Sequence, residues 1–405
     1  MINQKKSFEF YIFLIVLFLC FFDFVLFYLE SILKIATPPS GMIAYLLIIP
    51  LLFSSIYDFL FKKKVGGGLW LYLVILLLLL LLMVVRISLS SKKEFLDYFI
   101  VFKCLIYFAF GYFVFFLFRN NFKYKKTFFI LLLLMFFILV FNYYFQSILL
   151  MQVNHLRFAE SFVFVSLFCL VKSKNKIFQQ IVFFITLFSL FLLASRASFY
   201  GYLILFIFLI IIMYGIKYVY KLFFNYFVSV VGVLLLGIKF CPKKIINMID
   251  VIMDSEILRI LLWSDQDNSL LARNLFHVKG MERIKENLLL GDFKGQLDYI
   301  NHGQFGAYVH DVFSYWSQFG IIVFFLFVSL ILLSFFFIFK NFKKKKNNDG
   351  YLFTFIYFVY AALMIMIAKS YVYMNIYIGF GLIFHAMQNT YSKNDNLSVN
   401  LKNLE

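Results

Sequence analysis

Three side chains scattered along the chain are of types suited to holding an anion and moving a proton: Arg196, Arg273 and His310. Arg196 stands in Leu193-Ala194-Ser195-Arg196-Ala197-Ser198, between two apolar runs with almost no loop. A charged side chain at membrane depth costs ~3 kcal/mol at a helix centre on insertion scales. It therefore faces a cavity or a partner, or else snorkels to the head groups. Arg273 opens a mixed polar and apolar stretch, and its planar guanidinium can hold a phosphate through two parallel hydrogen bonds. His310 lies in Asn301-His302-Gly303-Gln304-Phe305-Gly306-Ala307-Tyr308-Val309-His310-Asp311, ahead of Trp316, Gly320 and a long apolar run. A lone histidine is more often structural than catalytic, yet imidazole is the side chain whose ordinary titration range best suits base work near neutrality. Arg157, in Asn154-His155-Leu156-Arg157-Phe158, and Arg283 and His302 are weaker candidates of the same kinds. Asp265-Gln266-Asp267 has the spacing of a divalent-ion pair but reads as a solvated turn, so neither a metal site nor a cofactor is expected.

The elements that position these groups follow from polarity. From Arg273 to Gly291, Leu275, Val278, Met281, Ile284 and Leu288 recur at steps of three and four, which predicts an amphipathic helix. Gly291 is placed to end it. This helix belongs to Cys241–Gly320, the only long polar segment of the chain. Elsewhere the chain is made of apolar runs; 64% of residues are hydrophobic and only 14% charged, against roughly 25% charged in soluble domains. Runs such as 8–28, 69–85, 128–149 and 321–339 are long enough to cross ~30 Å of hydrocarbon as helices, which takes about 20 residues.

The expected fold class is therefore all-α, a polytopic integral membrane bundle. About twelve spans are read at 8–29, 42–61, 69–87, 98–118, 127–149, 158–171, 177–194, 198–216, 223–240, 312–339, 351–367 and 373–387. Spans one to nine fill residues 1–240, a large loop with short helices 241–310, the last three spans 311–390, and a polar tail 391–405. Lys5 and Lys6, Lys62–Lys64, Arg119–Lys126, Lys172–Lys176, Lys217 with Lys221, and Lys340–Lys346 share one face. The opposite short loops are poorer in lysine and arginine, and Lys92 and Lys93 are offset there by Glu94 and Asp97. The basic face is expected to be cytoplasmic, with both termini, and the large loop outside. The same rule absorbs the net charge of +18, so no nucleic acid is expected. Cys20, Cys104, Cys169 and Cys241 are scattered and fit neither a disulfide framework nor a metal pattern. The N-terminal run lacks a small-residue cleavage site and reads as an uncleaved first span.

Taken in order, three blocks resemble the superfamily of O-antigen ligases and O-antigen polymerases. The first is Ser195-Arg196-Ala197 between two spans. The second is Arg273 with Gly291 at the family spacing, Leu289 and Leu290 preceding the glycine. The third is His310-Asp311 followed by Gly320 opening a span. The chain departs from that pattern at His277, where tryptophan is usual, at Leu288, where proline is usual, at Asp311, where asparagine or serine is common, and in a third block one residue shorter than the usual form. The resemblance covers mainly 191–327.

What the resemblance implies is a bundle of the GT-C-like kind in a bacterial inner membrane, acting as a metal-independent glycosyltransferase on its outer face. The donor would be an oligosaccharide on undecaprenyl pyrophosphate, with Arg196 and Arg273 on the pyrophosphate and His310 as catalytic base. The expected activity is O-antigen repeat-unit polymerisation in lipopolysaccharide synthesis, beside a flippase and a chain-length regulator of the same pathway and in contact with membrane lipid. The same machinery would serve a ligase that delivers glycan to lipid A core. A flippase for lipid-linked oligosaccharides would instead spread charge through many spans, whereas only Asp23, Asp58 and Lys103 are clearly intramembrane here. Sugar–phosphate cleavage makes a multiply charged leaving group that fixed guanidinium groups can stabilise, and a histidine within hydrogen-bond reach can take the proton of the attacking hydroxyl.

Overall fold

The computed structural model describes residues 10–16, 46, 48–50, 53, 67–118, 125–149, 155–193, 195–221, 268–295, 309, 311–345 and 348–402. Every regular element among them is helical. In chain order they are α1 (Gly67–Leu89), α2 (Tyr98–Val114), α3 (Lys125–Leu149), α4 (His155–Lys172), α5 (Lys176–Leu192), α6 (Arg196–Tyr214), α7 (Asn268–Glu286), α8 (Phe313–Phe319), α9 (Ile321–Lys345), α10 (Asp349–Ile367) and α11 (Asn375–Lys402). Short 3-10 turns at Phe95–Asp97 and Phe115–Phe118 flank α2.

α1 shows why this is a membrane protein. Leu69, Tyr72, Leu76, Met83 and Ile87 are buried at helical spacing, while Trp70, Val74, Leu77, Leu81 and Val85 on the other side are exposed and equally apolar. A helix that is apolar all round, with one side facing outward, is unfavourable in water and ordinary in lipid. α9 repeats the pattern, with Phe327 and Leu330 buried and Phe325, Leu332 and Phe336 exposed. Among the described residues, five helices are long and apolar enough to cross a membrane: Gly68–Leu89, Phe95–Val114, Arg196–Tyr214, Ile321–Asn341 and Asp349–Ile367. Lys126–Phe141 and Lys176–Leu192 are shorter apolar helices.

The described chain falls into two compact units, Met1–Phe128 with Ser269–Glu405, and Phe129–Asn268. In the first, α11 packs along α2 and α10, and α1 packs along α9. Gly111 and Gly381 let the α2 and α11 backbones approach closely, the usual route to helix contact in lipid. Buried polar bonds cross the helix pairs: Tyr72 Oη with Ser334 Oγ at 2.9 Å, and Tyr112 Oη donating to Gln388 Oε1 at 2.7 Å. In the second unit, α4, α5 and α6 form an up-down-up set. Asn175 caps α5 by accepting from the Ile177 and Phe178 amides. Phe183 stacks on Phe206 with ring centroids 3.8 Å apart, and the Ser166 and Tyr202 hydroxyls join α4 to α6.

Two expectations change. The single span over 312–339 is two helices, because Gly320 breaks it. Gly320 has φ 89 and ψ 173, and its amide closes α8 on the Trp316 carbonyl before α9 begins. The tail expected from residue 391 is helical to Lys402 as a continuation of α11. The expected span over 223–240 lies outside the described residues. So do nearly all of the first two spans, including Asp23 and Asp58, apart from the helical piece 10–16 and a few residues near 50.

Candidate functional site

The end of the first unit where α1 finishes and α2 and α9 begin is a dense polar knot. It is built around 287–295, the stretch that follows α7. Gly291 has φ +66, and its backbone lies against Gly320; a Cβ on Gly291 would stand 2.5 Å from the Gly320 nitrogen and 2.8 Å from the Trp316 carbonyl oxygen. A Cβ on Gly320 would in turn run into the Leu289 carbonyl. The two glycines whose spacing marked the sequence therefore meet each other, and neither position has room for a side chain.

The remaining bonds hold the same stretch backbone group by backbone group. Trp316 Nε1 donates to the Leu288 carbonyl at 2.9 Å, and Arg86 Nη2 to the Gly291 carbonyl at 2.5 Å. The Asp292 amide donates to the Ser317 carbonyl at 2.7 Å, Ser90 Oγ to the Phe293 carbonyl at 3.2 Å, and the Lys294 amide to Gln318 Oε1 at 3.0 Å. Lys294 adopts φ 59, a left-handed conformation that non-glycine residues keep only when the surroundings over-determine it. Here its ammonium supplies that constraint, 3.0 Å from Asp97 Oδ2 and 3.1 Å from Glu94 Oε1. Burial alone would lower the Lys294 titration range, but the two carboxylates outweigh it and raise it.

α7 is tied to this knot and to the segment just before α8. Arg283 pairs with Asp292. A Cβ on Gly280 would overlap a methyl of Val309, so α7 approaches Val309 as closely as only glycine permits. One turn earlier, His277 Nδ1 lies 3.3 Å from Asp311 Oδ2, with side-chain exposures of 48% and 18%. Asp311 Oδ1 accepts the Phe313 amide at 2.8 Å, which fixes the carboxyl at the start of α8. Burial raises the Asp311 carboxyl above the usual carboxylate range, against the smaller lowering effects of the Phe313 amide and His277.

This packing corrects the expected face of α7. Leu275, Val278 and Leu288 are exposed, and of the predicted stripe only Ile284 is deeply buried. The face that packs is His277, Gly280 and Ile284, because close approach at Gly280 and the polar pairs decide the helix rotation.

Of the candidate residues, Arg273 lies on α7, one turn before His277. His310 lies outside the described residues, but its two chain neighbours, Val309 and Asp311, both rest on α7. Arg283 is engaged by Asp292. Arg196 is the first residue of α6, in the second unit. There Ser195 Oγ donates to Ser198 Oγ at 3.0 Å, and Ser198 Oγ donates to Glu160 Oε1 at 3.4 Å. These bonds tie the first turns of α6 and α4, so Arg196 and Arg157, one turn before Glu160, are at the same end of that unit. His302 and the Asp265–Asp267 turn lie outside the described residues.

Arg86, Lys294, Asp97 and the partnership of His277 with Asp311 were not singled out by sequence reasoning. Glu94 and Asp97 read as local partners of Lys92 and Lys93; in the fold they belong to Lys294. The available signal was a lysine beside a glycine in one loop and a closely spaced acidic pair in another. No protein-family model matches this chain, and no curated protein matches it.

Proposed function

We propose that this chain is an O-antigen repeat-unit polymerase of a bacterial inner membrane. It has about twelve spans, cytoplasmic termini and the polar segment 241–310 on the periplasmic side. It moves a growing glycan from undecaprenyl pyrophosphate onto the sugar of another undecaprenyl-pyrophosphate-linked unit. Arg196 and Arg273 hold the pyrophosphate, and a histidine of the segment 241–310 takes the proton of the acceptor hydroxyl; the resemblance points to His310. The reaction needs no resident metal, because guanidinium groups stabilise the departing diphosphate.

The observation that supports this reading most is the backbone contact of Gly291 with Gly320. These are the glycines that close the second and third blocks of the resemblance, and their contact gives the spacing a physical reason. It clamps the end of the helix that carries Arg273 to the start of the span that follows His310.

The test is genetic. Deleting the gene should leave core capped with a single repeat unit and no ladder of longer chains on a gel; bare core would mean a ligase instead. Arg196→Ala and Arg273→Ala, each shown to be inserted in the membrane, should reproduce the deletion. Normal ladders from both variants would overturn the assignment.

A further inference from the structure

Two of the departures from the family pattern are in contact. Where tryptophan is usual the chain has His277, and where asparagine or serine is common it has Asp311; their side chains stand 3.3 Å apart. A carboxylate can only accept, so Nδ1 of His277 carries the proton of this bond, and the lone pair of the neutral ring is left on Nε2. The carboxyl is itself fixed by the Phe313 amide, so the imidazole is oriented from a rigid base. His277 is half exposed, which leaves Nε2 within reach of a second molecule. Asp311 is the charged group that faces His277 from the segment packed on α7, and Arg273 precedes it by one turn on its own helix.

We infer that in this chain His277, positioned by Asp311, removes the proton of the acceptor hydroxyl in place of His310, to which the resemblance points, an inference that rests on the glycosyl-transfer reading above. In the step, the acceptor O–H bond breaks and its proton goes to Nε2 of His277. The acceptor oxygen forms the new bond to the anomeric carbon. The bond from that carbon to the phosphate oxygen breaks, and its electron pair leaves with the undecaprenyl diphosphate. The imidazolium that results is stabilised by the Asp311 carboxylate, which is the task of the acidic member of a catalytic triad.

The experiment uses membranes containing the full chain. Its donor is the lipid-linked repeat unit extracted from cells lacking the gene, and chain growth is followed from pH 5 to 9. His277→Gln should slow transfer by roughly 100-fold or more, the usual contribution of a general base. Asp311→Asn keeps the oxygen that accepts the Phe313 amide, so it should fold, but its NH2 then faces Nδ1 of the ring and favours the tautomer with the proton on Nε2. It should still transfer, more slowly, with the acidic limb of its pH profile moved to lower pH. A His277→Gln protein with wild-type rates would overturn the inference. So would an Asp311→Asn profile that falls uniformly with its acidic limb unmoved, since that is the behaviour of a strut. If wild-type membranes extend no chains, the polymerase reading itself falls, and this inference with it. If they do, and only His310→Ala and Arg196→Ala fail, the polymerase reading stands and His277 is excluded as the base.

Discussion

Replacing Gly320 by alanine adds one carbon, and the structure allows its cost to be separated into two parts. The first is backbone strain. With φ 89 and ψ 173, Gly320 occupies a region reached almost only by glycine, and an alanine there costs of order 1–3 kcal/mol. The second is overlap. The new Cβ would stand 2.7 Å from the Leu290 carbonyl carbon and 2.9 Å from that of Leu289. These are backbone atoms of a stretch held at Leu288, Gly291, Asp292, Phe293 and Lys294, so they cannot rotate aside, and overpacking adds about 1–3 kcal/mol. Gly215 provides the control. Its φ of 83 and ψ of 164 carry the same strain, but nothing lies within 4 Å of its would-be Cβ. Gly215→Ala should therefore cost the strain alone, and Gly320→Ala should exceed it by about 1–3 kcal/mol. Thermal unfolding of the two purified variants in one detergent measures the difference, and protease cutting near 287–295 reports whether the stretch detaches. Equal midpoints for the two variants, or a Gly320→Ala protein as stable as wild type, would refute the backbone contact on which the polar knot depends.

Other substitutions probe the same region. Lys294→Met leaves the buried Asp97 carboxylate without its cation; breaking such a pair costs about 3 kcal/mol. Lys294→Met with Asp97→Asn should recover most of the loss, and a thermal-shift cycle of the four proteins measures it. Burial holds the Asp311 carboxyl above its usual range, so the folded protein binds that proton more readily than the unfolded chain. The stability from this group is present at acid pH and declines as pH rises through the raised range. The midpoint difference, Asp311→Asn minus wild type, should therefore grow from acid to neutral pH; a difference that shrinks would contradict the burial argument. Leu288→Pro should leave the thermal midpoint within a degree or two of wild type, because only the carbonyl of that residue is bonded, to Trp316.

The apolar helices among the described residues were largely legible, and the site only in outline. Long apolar runs flanked by charge placed α1, α2, α5, α6 and α10 to within a few residues, since a helix must satisfy its own backbone wherever lipid replaces water. Apolar periodicity failed on α7 and could not have told Leu69 from Leu71 on α1, one fully buried and the other exposed. In a soluble protein the apolar side is the packed side. Beside lipid, exposure of leucine costs nothing, and what marks the packed side is a small or polar residue. His277, Gly280, Lys294 and Asp97 carry that signal. None of them belongs to an apolar pattern, and their partners are 29 to 197 residues away in sequence, so no local spacing could pair them. The break at Gly320 was hidden for a related reason. The residues on either side of it are apolar, and the need for glycine arises from the Leu289 carbonyl, which belongs to a different element.

The three substitutions in the family pattern are not equivalent, and the structure separates them. Leu288 in place of proline alters a side chain that is exposed and an amide that takes no part in the knot; the carbonyl that receives Trp316 is common to both residues. That change is neutral by construction. His277 and Asp311 differ from the family in residues that touch, and each makes sense only with the other. A carboxylate at 311 opposite a tryptophan would be a half-buried charge facing an indole. Its ring nitrogen could donate one hydrogen bond, but it could not take up a proton. A histidine at 277 opposite an asparagine would keep a hydrogen bond but lose the charge that stabilises its protonated form. Together they make an imidazole oriented by the residue that follows His310 in the chain. Under the proposed reading, two coupled changes at one junction hand the role of proton acceptor from one residue to another beside the contact of Gly291 with Gly320.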